Sequence, residues 1–215
     1  EVGEEALKKW IKEFPRCTTN LLGTNEGDPL NMVVIGDHRT IRQCFGGRWD
    51  EAEAVNLKTC LKTGRAFLFD AEYRYSPVSS LFVKGKMQDL ALQKARSCIN
   101  ERIHLRLWQT PLSFEQQPVW MGQISRDIGV RLTVKTWNLT THKIDPDVDE
   151  SRDYVTDFLI DSLRVSRVAH LPGVEAAEED DPRHNLTGDP YYTDGNRVVL
   201  ILSRQSVKAS YLNWT

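Results

Sequence analysis

The stretch RIHLRLW, residues 102–108, constrains the fold most strongly, because apolar and polar side chains alternate along it without a break. Alternation with a period of two is typical of a β-strand that has two different faces. The apolar face would hold Ile103, Leu105 and Leu107. The opposite face would hold His104, Arg106 and Trp108. Residues 130–137 alternate in the same way, and 118–125 are predicted to pair with 102–108 as a hairpin with a long loop over 109–117.

Helical spacing of apolar residues predicts helices over 3–14, ended by Pro15, and over 38–45, 50–62 and 87–99. A further helix is predicted to begin at Asp145-Pro146. Further strands are predicted at 32–35, 65–75 and 197–203, with an extended segment over 76–83. Consecutive strands with helices grouped at the two ends indicate a single α+β domain, in which helices flank a largely antiparallel central sheet.

Composition excludes some classes of partner and of enzyme. The chain has 28 basic and 30 acidic residues among 215, so no excess of positive charge favours nucleic acid or an anionic membrane surface. No run reaches the roughly 18 apolar residues that a membrane span needs. The sequence also lacks the GxSxG, GxxxxGK[ST], GxGxxG and HExxH motifs.

The four cysteines, Cys17, Cys44, Cys60 and Cys98, lie far apart and form no CxxC pair. Buried free thiols are therefore the first expectation, and no zinc site is expected. A disulfide between Cys44 and Cys60 is the alternative if the domain lies outside the cytoplasm.

The segment THKIDPDVDE, residues 141–150, concentrates acidic residues and has two interpretations. In the first, Asp145 is a helix N-cap with Pro146 at the first helical position, and the acids that follow interact favourably with the helix dipole. In the second, His142 and Asp145 join acids from elsewhere to hold a metal ion. An EF-hand loop is excluded, because its sixth position would be Glu150 instead of Gly and its twelfth Thr156 instead of Glu.

The same predicted helix has an aspartate at every fourth position, namely Asp149, Asp153, Asp157 and Asp161. Like charges at this spacing repel each other by a few tenths of a kcal/mol per pair. Either this row faces solvent, or it meets arginines within the domain or on a partner.

The polar face of strand 102–108 predicts an anion site. Arginine binds phosphate or carboxylate in a bidentate manner, and histidine can donate a hydrogen bond or a proton. Arg126 and Asp127, at the end of the neighbouring strand, are predicted to lie near His104 and Arg106. The alternative is a sheet with one solvated face, where such side chains need no function.

Several long blocks, in order along the chain, give the sequence a resemblance to a known family. The blocks are GDPLN, SPVSSLFVKGKMQDLALQK, RIHLRLW, PVWMGQISRDIGV, THKIDPDVDE and NLTGDPYYTDG. Together they resemble the LssY C-terminal domain family from about residue 20 to residue 203. The family's His-x-Arg-Leu-Trp motif falls on His104, Arg106, Leu107 and Trp108, and its aspartate after the next strand falls on Asp127.

The family's Thr-His and Asp-Pro-Asp motifs fall on Thr141, His142, Asp145, Pro146 and Asp147. Many relatives have a second histidine where this chain has Lys143, which weakens a His-His metal pair. The chain also lacks the PSGH motif of lipid phosphatases, so the resemblance does not imply that activity for this domain alone.

The resemblance implies a domain of the bacterial cell envelope that is membrane-anchored and extracytoplasmic. Such domains follow a membrane anchor or are joined to modules similar to type-2 phosphatidic acid phosphatases. From this resemblance we expect that residues 1–19 form an N-terminal helix that follows a membrane anchor absent from this chain. Residues 20–215 would then form the LssY C-terminal-like domain.

The resulting hypothesis is an accessory domain, without a cofactor, that binds an anionic or lipid-phosphate ligand or a partner protein, but not nucleic acid. Its site would consist of His104, Arg106, Arg126, Asp127 and His142. The alternative is a metal-dependent hydrolase acting on phosphoesters, whose divalent ion and bound water would be the reactive groups. Its ligands would be His104, Asp127, His142 and Asp145.

Overall fold

A computed structural model describes residues 1–47, 49–51, 81–95, 102–132 and 140–214 of the chain. Its helices are α1 (Glu4–Glu13), α2 (His38–Phe45) and α3 (Val148–Asp161). The strands up to the central hairpin are β1 (Cys17–Thr19), β2 (Glu26–Pro29), β3 (Met32–Ile35), β4 (Asp50–Glu51), β5 (Phe82–Val83), β6 (Lys86–Met87), β7 (Leu90–Ala95) and β8 (Arg102–Phe114). The remaining strands are β9 (Gln117–Leu132), β10 (Thr140–Ile144), β11 (Val165–Pro172), β12 (Arg183–His184), β13 (Pro190–Tyr191), β14 (Asn196–Leu202) and β15 (Ser210–Tyr211).

Nine of these strands form the central sheet, in the order β15-β11-β14-β3-β9-β8-β7-β4, with β10 also paired to β9. All pairs are antiparallel except β14 with β3 and β11 with β15. A second sheet has the order β2-β1-β5-β6, and β12 and β13 form a small hairpin. The predicted α+β fold with a largely antiparallel central sheet is confirmed.

The central sheet is covered on both faces. On one face, Ile103, Leu105 and Leu107 pack in a core with apolar residues of α2 and α3. On the other face, Trp108 packs in a second core with residues of α1 and of the second sheet. The face opposite Ile103, Leu105 and Leu107 is therefore buried, and the alternative of a sheet with one solvated face is wrong.

The β8–β9 hairpin is longer and tighter than the sequence predicts. Its strands run to a two-residue turn at Glu115 and Gln116, whose φ angles are +49° and +61°. Positive φ at both central positions gives a type I′ turn, whose twist matches that of a hairpin. The predicted loop over 109–117 is wrong because this turn uses no glycine, and glycine is the residue that usually marks it.

The predicted helix over 87–99 is wrong, since β7 occupies Leu90–Ala95. Leucine, alanine, glutamine and lysine favour helices, but Leu90 and Leu92 are placed opposite Leu107 and Leu105 of β8. Pairing with a buried strand thus overrides the local preference. At the start of the predicted helix over 50–62, Asp50 and Glu51 form β4 instead.

The helices over 3–14 and 38–45 and the strands over 32–35 and 197–203 are confirmed to within two residues. Strand β11, at Val165–Pro172, was not predicted. The predictions for 52–62, 65–80, 96–99 and 133–137 lie outside the described residues. Cys17 and Cys44 are buried free thiols, which confirms the first expectation for these two residues and contradicts the alternative disulfide at Cys44. Cys60 and Cys98 lie outside the described residues.

Helix α3 begins two residues later than predicted. Its N-cap is Asp147, whose carboxylate accepts hydrogen bonds from the backbone N–H groups of Asp149 and Glu150. The predicted cap, Asp145, instead accepts from the backbone N–H of Asp147 at 3.2 Å. The Asp145-Pro146 pair therefore forms a turn that leads into the helix.

Arg152 and Arg197 are two of the arginines that are buried inside the fold. Arg152 of α3 contacts the carboxylates of Asp149, Asp153 and Asp194. Two members of the acidic row therefore meet an arginine within the domain, which was one of the two expectations.

Across the described parts of the chain, no helix is long and apolar enough to cross a membrane.

Arg197 of β14 is fully buried, and the carbonyl oxygens of Ile11, Phe14, Pro15 and Leu30 accept its hydrogen bonds. Burial lowers the pKa of Arg197 to about 10. Three of the four acceptors lie at the end of α1, so Arg197 attaches this helix to the sheet.

Candidate functional site

Seven polar side chains lie side by side on strands β7, β8 and β9 and form a buried polar cluster. Its members are Gln93, Arg102, His104, Arg106, Gln123, Ser125 and Asp127, each less than a tenth exposed. The strand register explains their position, because Gln93, His104 and Ser125 are direct neighbours across the three strands. Alternation places all seven on the face opposite Leu105.

His104 and Asp127, which were both predicted site residues, contact each other within the cluster. The imidazole Nε2 lies 2.7 Å from the Oδ2 atom of Asp127, and both side chains are buried. They are not direct strand partners, because His104 lies opposite Ser125 and the contact runs diagonally. An ionised carboxylate can only accept a hydrogen bond, so with Asp127 ionised Nε2 carries the hydrogen of this contact.

Arg106 is held by Gln123, its direct partner on β9. The Nη1 group of Arg106 donates to the Oε1 atom of Gln123 at 2.7 Å, and the Nε2 group of Gln123 donates to the hydroxyl of Ser125 at 2.9 Å. Gln123 thereby uses both ends of its amide, which fixes the orientation of the guanidinium.

A second wall of the site comes from two Gly-Asp-Pro stretches that are distant in sequence. The first contains Asp28, at the end of β2, and the second contains Asp189, in the loop before β13. The amide of Asn185 joins them, because its Nδ2 donates to Asp28 at 2.9 Å and its Oδ1 accepts from the backbone N–H of Asp189 at 2.9 Å. Both aspartates are buried.

Charges in and beside the cluster interact strongly because the region is dehydrated. Burial raises the pKa of Asp28, while the charge of Arg106 and the hydrogen bond from Asn185 lower it. Burial also lowers the pKa of Arg106, and the charges of Asp28 and Asp127 oppose that shift. The same pattern holds for Arg102, where burial lowers the pKa and Asp127 opposes it.

His104 and Arg106 each have one buried nitrogen atom without a hydrogen-bond partner among the described residues. These atoms are Nδ1 of His104, a residue 6% exposed, and Nε of Arg106, a residue 7% exposed. Leaving a buried polar group unpaired costs about 1–3 kcal/mol, and more for a charged group. The arrangement thus offers two ready hydrogen-bonding positions on one face of one strand.

Two other predicted site residues lie elsewhere. Arg126 points to the helix face, where it binds Asp145 and Glu150 at the start of α3. The structure therefore does not bring Arg126 and Asp145 together with His104 and Asp127. The backbone of His142 pairs with Val130, and its side chain lies outside the described residues.

The metal alternative is not assembled by the side chains that the structure describes. In the described ranges, no three or more His, Cys, Asp or Glu side chains are grouped so that they could hold a metal ion. Asp145, one of the four predicted ligands, is occupied by Arg126 on the far face of the sheet.

Neither of two surface grooves near α1 reaches the cluster. One groove, of about 550 Å³, is lined by residues that include Phe14, Arg16 and Gly173. The other lies along the charged side of α1.

Sequence reasoning missed Asp28, Asn185 and Asp189. The repeated Gly-Asp-Pro was a usable signal, because an aspartate before a proline has a restricted, extended backbone. It did not show that the two stretches meet in space. Gln123 and Ser125 were also missed, although they occupy the same strand face as Asp127.

A known protein family matches the part of the chain that contains the cluster. The sequence model of the family described as LssY C-terminus matches residues 11–196, which include the cluster, both Gly-Asp-Pro stretches and α3. No curated protein and no solved structure matches the chain significantly.

Proposed function

This chain belongs to the LssY C-terminus family, and we propose that it is an accessory domain that binds a small anionic ligand at the buried polar cluster. One observation carries the proposal. Nε of Arg106 and Nδ1 of His104 are buried and unpaired on one strand face. A ligand that pairs with both atoms removes the cost of leaving them unsatisfied.

An anion fits the fixed charges better than a neutral molecule does. Arg102 and Arg106 supply two guanidinium groups against one carboxyl group in the cluster, that of Asp127, and burial raises the pKa of Asp28 beside it. Guanidinium groups donate charge-assisted hydrogen bonds to phosphate or carboxylate, and these are about twice as strong as neutral ones. The cluster therefore favours a ligand that carries negative charge.

Burial favours a small ligand over a partner protein. A protein partner would need exposed side chains, and the members of the cluster are all less than a tenth exposed. We propose that the ligand is an inorganic anion or a single anionic group of the size of phosphate or carboxylate.

Isothermal titration of the protein with inorganic phosphate, after dialysis against a buffer free of other oxyanions, tests the proposal. We expect one site per chain. Arg106→Lys keeps the charge but removes the Nε–H donor, so the dissociation constant should rise at least about 10-fold, equivalent to about 1.4 kcal/mol. The control is Arg167→Lys, on β11, where the arginine pairs with Glu115 at the surface; its dissociation constant should stay within about 2-fold.

Absence of heat with phosphate, acetate and sulfate alike would refute the anion site. The unpaired atoms would then be satisfied by water, and the cluster would be a structural network. Equal weakening by Arg106→Lys and Arg167→Lys would place the bound anion elsewhere on the molecule.

We also propose that the domain belongs to a membrane-anchored protein of the bacterial envelope and faces away from the cytoplasm. The support is the context that the family resemblance implies. Fractionation of cells that produce the full-length protein should place the domain with membranes, and protease added to spheroplasts should digest it. Recovery in the cytoplasmic fraction would contradict this location.

Metal analysis of the purified protein tests the hydrolase alternative, which requires a stoichiometric divalent ion.

A further inference from the structure

The contact with Asp127 determines what the free nitrogen of His104 can do. In the neutral imidazole that donates from Nε2 to the carboxylate of Asp127, Nδ1 has no hydrogen. In that form Nδ1 is a hydrogen-bond acceptor. The other unpaired atom, Nε of Arg106, carries a hydrogen and can only donate.

A single oxyanion between the two side chains would reach both atoms. His104 and Arg106 are two residues apart on one strand, so their side chains lie side by side on the same face. An oxyanion placed there would form one hydrogen bond of about 2.8 Å with each side chain. The ligand must then accept a hydrogen bond from Arg106 and donate one to His104.

The carboxylate of Asp127 imposes the same requirement. Asp127 lies against His104. A ligand oxygen without a hydrogen would meet negative charge or lone pairs on this side of the site, which is repulsive in a dehydrated environment. A ligand oxygen that bears a hydrogen would instead form a hydrogen bond there.

Building on the proposed anion site, we infer that it selects an oxyanion that carries a proton, namely hydrogen phosphate or a phosphomonoester, over sulfate. Near pH 7, phosphate still has a hydrogen to donate and sulfate has none, although the two ions have almost the same size and shape. The discrimination arises because sulfate leaves Nδ1 of His104 unpaired next to the carboxylate of Asp127. Asp127 acts as a positioning residue, since it holds His104 in the tautomer that accepts.

Titration of the unmodified protein with phosphate and sulfate, at one pH and one ionic strength, tests this inference. We expect phosphate to bind at least about 30-fold more tightly than sulfate. Equal or tighter binding of sulfate would overturn the selectivity and leave the anion site standing. No binding of either ion would instead refute the anion site on which the inference rests.

A third titration, with glycerol 3-phosphate, separates the two sources of the phosphate group. If it binds as tightly as inorganic phosphate, the site accepts a phosphomonoester such as a lipid headgroup. If it binds much more weakly while inorganic phosphate binds, the ligand is the free ion. Binding of sulfate above both would overturn the inference in either case.

Asp127→Asn tests the role of the tautomer, because asparagine has the same shape and can donate its amide hydrogen to Nε2. The imidazole can then carry its hydrogen on Nδ1, so the preference for phosphate over sulfate should fall to within about 3-fold. Retention of the full preference would overturn the assigned role of Asp127. Should this variant not fold, the ¹⁵N chemical shifts of the His104 ring in the unmodified protein give the tautomer directly, and a hydrogen on Nδ1 would overturn the inference.

Discussion

Arg126 and Asp145 form an ion pair on the helix face of the central sheet, and this pair determines which aspartate begins α3. Nε of Arg126 donates to Oδ2 of Asp145 at 3.0 Å, while the other oxygen of Asp145 accepts from the backbone of Asp147. Asp145 therefore anchors the turn to the sheet, and Asp147 is left to cap the helix.

Replacement of Asp147 by alanine should lower the free energy of unfolding by about 1 kcal/mol, because two backbone N–H groups of the first turn lose their acceptor. Urea denaturation followed by circular dichroism measures this change. Asp147→Asn is the matched control, since asparagine also caps helices well, and it should cost only a few tenths of a kcal/mol. If both variants lose the same stability, charge rather than capping is the cause.

Replacement of Arg152 by methionine should destabilise the protein by about 3 kcal/mol, because breaking a buried ion pair leaves carboxylates without a counter-charge. Asp149, which is largely buried, would carry most of that cost. The control on the same helix is Asp157→Asn at an exposed position, which should change the free energy of unfolding by less than about 0.5 kcal/mol. A clear destabilisation by the control would mean that Asp157 has a cationic partner.

Replacement of Arg197 by methionine should release the end of α1, because four carbonyl oxygens lose their donor. We expect a loss of about 3 kcal/mol in unfolding free energy and faster hydrogen exchange within Glu4–Glu13. Arg16→Gln is the control in the same region. Its surface pairs with Glu26 and Glu175 should contribute less than about 1 kcal/mol. Unchanged exchange in α1 after the Arg197 substitution would contradict the role assigned to this arginine.

Replacement of Asp28 by asparagine should change how stability depends on pH. Burial raises the pKa of Asp28 in the folded protein, so the folded state holds this proton at pH values where the unfolded chain has lost it. The contribution of Asp28 to stability is therefore present below the ordinary aspartate pKa and is lost as pH rises through the raised value. Urea denaturation from acidic to neutral pH should show wild type losing stability relative to Asp28→Asn. An increase relative to the variant over that range would contradict the raised pKa.

The sequence predicts the two faces of β8 well because alternation reports strand faces directly. His104 and Arg106 were correctly placed on the same face, and Ile103 on the other. The same rule argues against grouping Arg126 with Asp127, since adjacent residues of a strand point in opposite directions. The structure shows this separation: Asp127 contacts His104, and Arg126 contacts α3.

Other parts could not be predicted because they depend on distant contacts. Strand β7 consists largely of helix-forming residues and is a strand only because it pairs with β8. Asp28 and Asp189 reach the site because β2 and the loop before β13 come together in space. Local sequence patterns do not show which distant segments contact each other in the folded chain. The turn at Glu115 and Gln116 also lacks the glycine that normally announces it.

The parallel pairing of β3 with β14 has a consequence for biosynthesis. Strand β3 is wholly buried in the middle of the sheet, yet its partner is the last long strand of the chain. A ribosome must therefore release almost the entire sequence before this edge of β3 can be covered. Until then the nascent chain exposes an apolar strand with unpaired backbone groups, which is the form most prone to aggregate. A polypeptide that stalls before residue 196 would keep that edge open.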